Sequence, residues 1–132
     1  MSAVVDASVL VAALVDSGAQ GEWAERILAA ADLHAPDIVR AEAANTLRRL
    51  ESAGVITRPM ANGAFDDLLR LDLQLLPFDP FAERIWALRA NVTCYDAWYV
   101  AAAEALQLPL ATLDGRLARS SGPSCRFLTP DD

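Results

Sequence analysis

A chain of 132 residues with a net charge of −7 has room for one domain, spanning 1–132, and its 11 basic residues are all arginine. The absence of lysine excludes a Schiff base, a phosphate-loop lysine and a kinase lysine, and the acidic balance argues against a simple nucleic-acid-binding module, which needs a basic footprint. Hydrophobic residues make up 54% of the chain, enough for a core, yet no run of about 18 apolar residues exists to span a membrane.

The chain opens MSAVVDASVLVAAL. Ala3–Val5 reads as a short buried strand that runs into Asp6, and Ser8 is a candidate cap for a helix through Val15. The apolar run from Val9 lacks a basic flank and is bracketed by Asp6 and Asp16, so it reads as part of a mature cytoplasmic protein and not as a signal peptide. Glu22–Ala31 is helical in pattern, with Trp23, Ile27 and Ala30 on one face. Leu33–Ala35 is a strand ended by Pro36. Asp37 is the expected cap of a long helix that stops before Gly54, and Thr57 that of another running to about Leu71. Gln74–Phe78 reads as a strand and Pro80–Ala90 as a helix. Thr93-Cys94-Tyr95-Asp96 resembles a capping box and opens a helix to Gln107. Leu110–Leu113 is a strand, Gly115–Ser120 a turn of helix, and Cys125–Leu128 a last strand. Short continuous apolar strands alternating with helices predict a parallel sheet covered on both faces, with function at the C-terminal edge of its strands. Cys94 and Cys125 lack metal-ligand spacing and read as free thiols.

Four acids fall at element ends or in first turns. Asp6 ends the first strand and Asp114 the strand LATLD, so parallel strands would place both on one edge. Glu42 lies on a polar stripe with Asn45, Thr46 and Arg49, opposite an apolar face of Val39, Ala43, Leu47 and Leu50. A solvated surface glutamate is an equal reading from position alone. Asp96 sits in the first turn of a helix that is apolar almost all round, where the helix dipole alone is also a sufficient reason for it. Two carboxylates about 5 Å apart repel by roughly 3 kcal/mol at an effective dielectric of 20. A converging set therefore needs protons or cations, and oxygen donors point to Mg2+ or Mn2+.

Two acidic α/β families fail on a missing lysine: response-regulator receivers and haloacid-dehalogenase-like phosphatases. The latter also require an aspartate where Ser8 stands. The chain instead resembles the PIN-domain nucleases, in particular the VapC-type toxins of bacterial toxin–antitoxin pairs. The resemblance lies in VVDASVLVAAL, HAPDIVRAEAANTLRRL, ERIWALRANVTCYDAWYVAAAEAL and LATLDGRLA, in the family's order and spacing. It implies an α/β fold, a three-layer α/β/α sandwich around a five-stranded parallel sheet. It further implies an endoribonuclease dependent on Mg2+ or Mn2+, with Asp6, Glu42, Asp96 and Asp114 as catalytic, metal-binding acids. Ser8 and Thr112 would orient ligands or water, helix capping being an equal reading for Ser8. Asn91 and Arg116 would contact the scissile phosphate, with a salt bridge the competing role for Arg116. Expected partners are RNA, a small cognate antitoxin, and a second copy of the chain or a toxin–antitoxin hetero-oligomer. The competing readings are an inactive PIN-like scaffold and a DNA-directed nuclease of the 5′-nuclease class. His34 reads as structural, Cys94 as packing, and Trp86 and Trp98 as core or interface residues rather than base-stacking platforms.

Overall fold

The computed structural model describes residues 1–131. Five strands pair in parallel throughout: β1 (Ser2–Val5), β2 (Asp32–Pro36), β3 (Leu73–Leu76), β4 (Leu110–Ala111) and β5 (Phe127–Leu128). Their spatial order is β3-β2-β1-β4-β5. The chain moves outward from β1 to β2 to β3, then returns across the sheet to place β4 on the other side of β1. Right-handed crossovers oblige the helices of the two halves to lie on opposite faces. The first half supplies α1 (Ala7–Val15), α2 (Ala19–Ala30), α3 (Val39–Ser52) and α4 (Arg58–Arg70), and α1 packs against the other three. The return supplies a 3-10 turn (Asp79–Phe81), α5 (Ala82–Ala87) and α6 (Cys94–Leu106), with α6 lying on β1, β2 and β4. A short α7 (Gly115–Ala118) follows β4. This is the α/β architecture with a five-stranded parallel sheet that the sequence predicts.

Val4, Val5, Val9, Leu10, Val39, Leu68, Val100 and Leu110 are fully buried. Each such side chain contributes about 1.5–3 kcal/mol. Because β1 is central, its run of Ala3, Val4 and Val5 is apolar on both faces, and the polar residue that ends it is delivered to the middle of the sheet's edge.

Several boundaries differ from expectation. Ser8 does not cap α1; Asp6 does, its side chain accepting from the backbone N–H of Val9. Asp37 does not cap α3. Ile38 holds that position without a side-chain bond, and the N–H of Asp37 is committed to the carbonyl of Leu76. Thr57 and Thr93 do cap their helices, accepting from Met60 and Asp96. Helix α2 begins at Ala19, ahead of Glu22, because Asp16 folds back to take the N–H of Gly18 at 2.7 Å. Gly21 is required by that turn, since a Cβ there would lie 1.8 Å from the carbonyl oxygen of Asp16. Strand β4 spans two residues, so Thr112 and Asp114 lie beyond the sheet. Trp86 is not a core residue: it is 62% exposed, with the Arg89 guanidinium 4.3 Å over its ring.

Candidate active site

The strand order reverses between β1 and β4, which makes the C-terminal edge there the topological switch point where open α/β sheets bind ligands. Asp6 stands at that point. Its N–H donates to the carbonyl of Ala111 at 3.2 Å, fastening the ends of β1 and β4. Its carboxylate is clamped by two hydroxyls. Ser8 donates to Oδ1 at 2.5 Å, beside the 3.3 Å bond from the N–H of Val9. Thr112, fully buried, donates to Oδ2. Each hydroxyl also accepts: Ser8 from the N–H of Leu113 at 3.2 Å, Thr112 from the N–H of Asp114 at 2.9 Å. The clamp therefore fixes Asp6 and ties the segment carrying Asp114 to it. Asp114 in turn caps α7, its Oδ1 accepting from the N–H groups of Arg116 at 3.0 Å and Leu117 at 3.2 Å.

Glu42 comes from the first turn of α3, just past the end of β2. Its Oε1 accepts from the Tyr99 hydroxyl at 2.5 Å. Thr46 donates to the Glu42 carbonyl and accepts from Arg49, so the polar stripe of α3 is internally bonded. Asp96 comes from the first turn of α6, where its N–H donates to Thr93 Oγ1 at 3.1 Å.

The four acids register one another. Burial pushes Asp6 up to about 6 against the pull of Ser8, Thr112 and the Val9 N–H, and the charge of Asp96 adds to the rise. Asp96 is raised by burial first, then by the charges of Asp114 and Glu42. Tyr99 is pushed far up, by burial and then by Glu42, with Asp6 and Asp96 contributing. Asp6, Glu42, Asp96 and Asp114 thus share one electrostatic neighbourhood. Among the described residues, no three histidine, cysteine, aspartate or glutamate side chains form a ready-made ligand cage. Mg2+ does not require one, since it keeps several waters and takes only one or two carboxylates together with substrate phosphate. Hard oxygen donors held near each other against their repulsion suit such an ion, so the residues present fit it.

Ser8 and Thr112, the two hydroxyls singled out in the sequence, both bond the Asp6 carboxylate. Asn91 is engaged with Ser121, donating to its Oγ at 3.1 Å. Arg116 is exposed on α7 and, among the described residues, forms no ion pair. Tyr99 is the site residue that sequence reasoning misses. In the sequence it is one of several aromatics that could suggest base stacking, on a helix apolar almost all round, and its bond to Glu42 spans 57 positions. Beside the acids, α1, α3 and α4 enclose an apolar groove of about 500 Å³. It is lined by Val11, Val15, Leu50, Val55, Ile56 and Met60 and reaches Ser8.

A parallel sheet in this order, with carboxylates gathered at its switch point, defines an α/β protein of the PIN class. The chain belongs to the PIN domain family, whose model matches residues 3–122. It is 41% identical over 125 residues to the ribonuclease VapC1 of Mycobacterium tuberculosis, covering 94% of each chain. Its fold matches PAE2754 from Pyrobaculum aerophilum with a TM-score of 0.70 at 21% identity, over 99% of this chain and 90% of that one. VapBC2 from Rickettsia felis, bound to a DNA fragment from its promoter, matches with a TM-score of 0.66 at 15% identity over 98% of each chain.

Proposed function

We propose that this chain is a divalent-metal-dependent endoribonuclease and the toxin of a toxin–antitoxin pair. The observation that carries the reading is the set of four acids brought toward the switch point, two of them raised by burial first and then by the charge of other acids of the set. A relative named as a ribonuclease, 41% identical across nearly the whole chain, supports RNA as the substrate.

Asp6 and Asp96, with Glu42 and Asp114, would hold Mg2+ or Mn2+. Bound there, the ion supplies hydroxide at neutral pH and offsets charge on the attacking and leaving oxygens. The protein's part is orientation. Ser8 and the Val9 N–H take both lone pairs of Asp6 Oδ1 and Thr112 takes one of Oδ2, so the clamp fixes the group and leaves one lone pair, on Oδ2, for a cation. Asp114 is held by the N-terminus of α7. Arg116, with no carboxylate partner among the described residues, is free to meet a phosphate; Asn91 would have to release Ser121 to do so.

The likeness to VapBC2 supports an antitoxin partner. Its seat would be the apolar groove between α1, α3 and α4, which ends at Ser8 and so leads to Asp6. An apolar segment followed by an arginine fits both the groove and the acids, because guanidinium binds carboxylate bidentately. The reading is tested by incubating the purified protein with labelled RNA and with DNA of the same sequence, in Mg2+, Mn2+ or EDTA. Cleavage of RNA alone, and only with metal, is expected. Cleavage of neither would favour an inactive scaffold, and cleavage of DNA a 5′-nuclease-like enzyme.

A further inference from the structure

Tyr99 reaches the acids from inside the core. It is only 2% exposed, lies one turn after Asp96 on α6, and donates its hydroxyl to Glu42 at 2.5 Å. We infer that Tyr99 is the positioning residue for Glu42, anchoring Oε1 so that Oε2 is presented to a cation; the inference rests on the proposed metal site.

Unlike the carboxylates of Asp6 and Asp114, that of Glu42 is tied neither to the backbone nor to a neighbour in sequence. Asp6 is bonded to Ser8 and Val9, and Asp114 to Arg116 and Leu117. The Glu42 side chain has three rotatable bonds, and the Tyr99 hydroxyl is its one hydrogen-bond partner among the described residues. Left alone, repulsion would turn it toward water. The Tyr99 bond opposes that motion, and a hydrogen bond to an ionised acceptor is about twice as strong as a neutral one. The ring is locked in a helix whose Ala97, Val100, Ala101, Ala102 and Ala103 are buried, so the anchor itself does not move. A phenol ordinarily ionises only near pH 10, so at neutral pH it is a donor. Among the described residues Oε2 has no partner. A tyrosine present only to fill the core would still need a partner for its hydroxyl. What distinguishes positioning is an effect on metal affinity that vanishes when Glu42 can no longer ligate.

The test is Tyr99→Phe, which keeps the ring, with Glu42→Gln and the double variant beside it. Mn2+ binding is measured by calorimetry without RNA, and melting curves confirm folding. Loss of a bond that orients a metal ligand lowers metal affinity about 10- to 100-fold. Tyr99→Phe should weaken Mn2+ by that range and raise the Mg2+ concentration for half-maximal RNA cleavage in parallel. The rate at saturating metal should change far less. In the Glu42→Gln background, Tyr99→Phe should bring no further loss of Mn2+ affinity. Unchanged Mn2+ affinity in folded Tyr99→Phe, or an equal loss with and without Glu42, would overturn the inference while leaving the metal site standing. A wild-type protein that binds no Mn2+ would overturn the metal site itself, and this inference with it.

Discussion

Asp6 is both the cap of α1 and the most strongly perturbed acid of the site. Its folded value of about 6 lies above its ordinary 3.8. Between those values the folded chain binds more protons than the unfolded one, so stability is lost as pH rises from about 4 to 6. The loss is on the order of 2–3 kcal/mol and is complete at neutral pH. Asp96, also raised, acts in the same direction, whereas Glu104, lowered by its Arg84 partner, acts in the opposite one. The informative quantity is therefore a difference. Without metal, Asp6→Asn should melt higher than the wild type at pH 7.5, and the gap should close toward pH 4. Mg2+ should raise the wild-type melting temperature at pH 7.5 through linkage and do less for the variant. A constant gap across pH, or none, would mean that the Asp6 charge is not confined as described. Thr112→Val, nearly isosteric at a fully buried position, removes a donor to Asp6 and an acceptor for Asp114. It should cost about 1–3 kcal/mol in urea unfolding and slow RNA cleavage.

At the scale of elements, the helix starts separate what the sequence states from what it leaves open. Thr57 and Thr93 are caps in sequence and in structure, because a threonine followed by a helical apolar pattern has one local solution. Asp37 has the same look and fails, since its N–H is taken by the edge strand β3, a contact 39 residues away. Ser8 was displaced as a cap by Asp6, whose carboxylate serves both the helix and the site. Asp6 and Asp114 stand out in the sequence because each ends an apolar strand, whereas Glu42 and Asp96 were singled out by the resemblance, their positions alone allowing a surface or first-turn acid equally. The Tyr99–Glu42 bond was not legible, because it depends on how α6 crosses α3, and neither helix encodes that crossing locally. Exposed Trp86 shows the same limit: helical spacing alone cannot say which face of α5 is covered. Thermal or urea unfolding checks the revised caps. Thr93→Ala should cost about 1 kcal/mol. Asp37→Ala should stay within about 0.5 kcal/mol of the wild type, and a larger loss would restore Asp37 as a cap.

For the molecule as a whole, strand order does the assembling. Because β4 returns beside β1, residues 6 and 114 come to one edge and are linked through the Thr112 hydroxyl, and α3 and α6 bring Glu42 and Asp96 toward it from the two halves of the chain. Under the proposed function, a chain with a charge of −7 has to meet a polyanion at this edge. A cation held there would offset the acids locally, while the net negative charge would favour a basic protein partner. Association with a basic antitoxin should accordingly slow as salt is raised, mostly through the on-rate. Surface binding kinetics measured between low and physiological salt would show this, and an on-rate insensitive to salt would argue for docking through the apolar groove alone. The most direct measurement is the rate of cleavage of one labelled RNA by wild-type, Asp6→Asn and Asp96→Asn proteins in saturating Mg2+, each first shown to be folded. A metal site built on these acids predicts cleavage by the wild type that stops in EDTA and falls by orders of magnitude in both variants. Cleavage at the wild-type rate by either variant, or cleavage undiminished in excess EDTA, would contradict it.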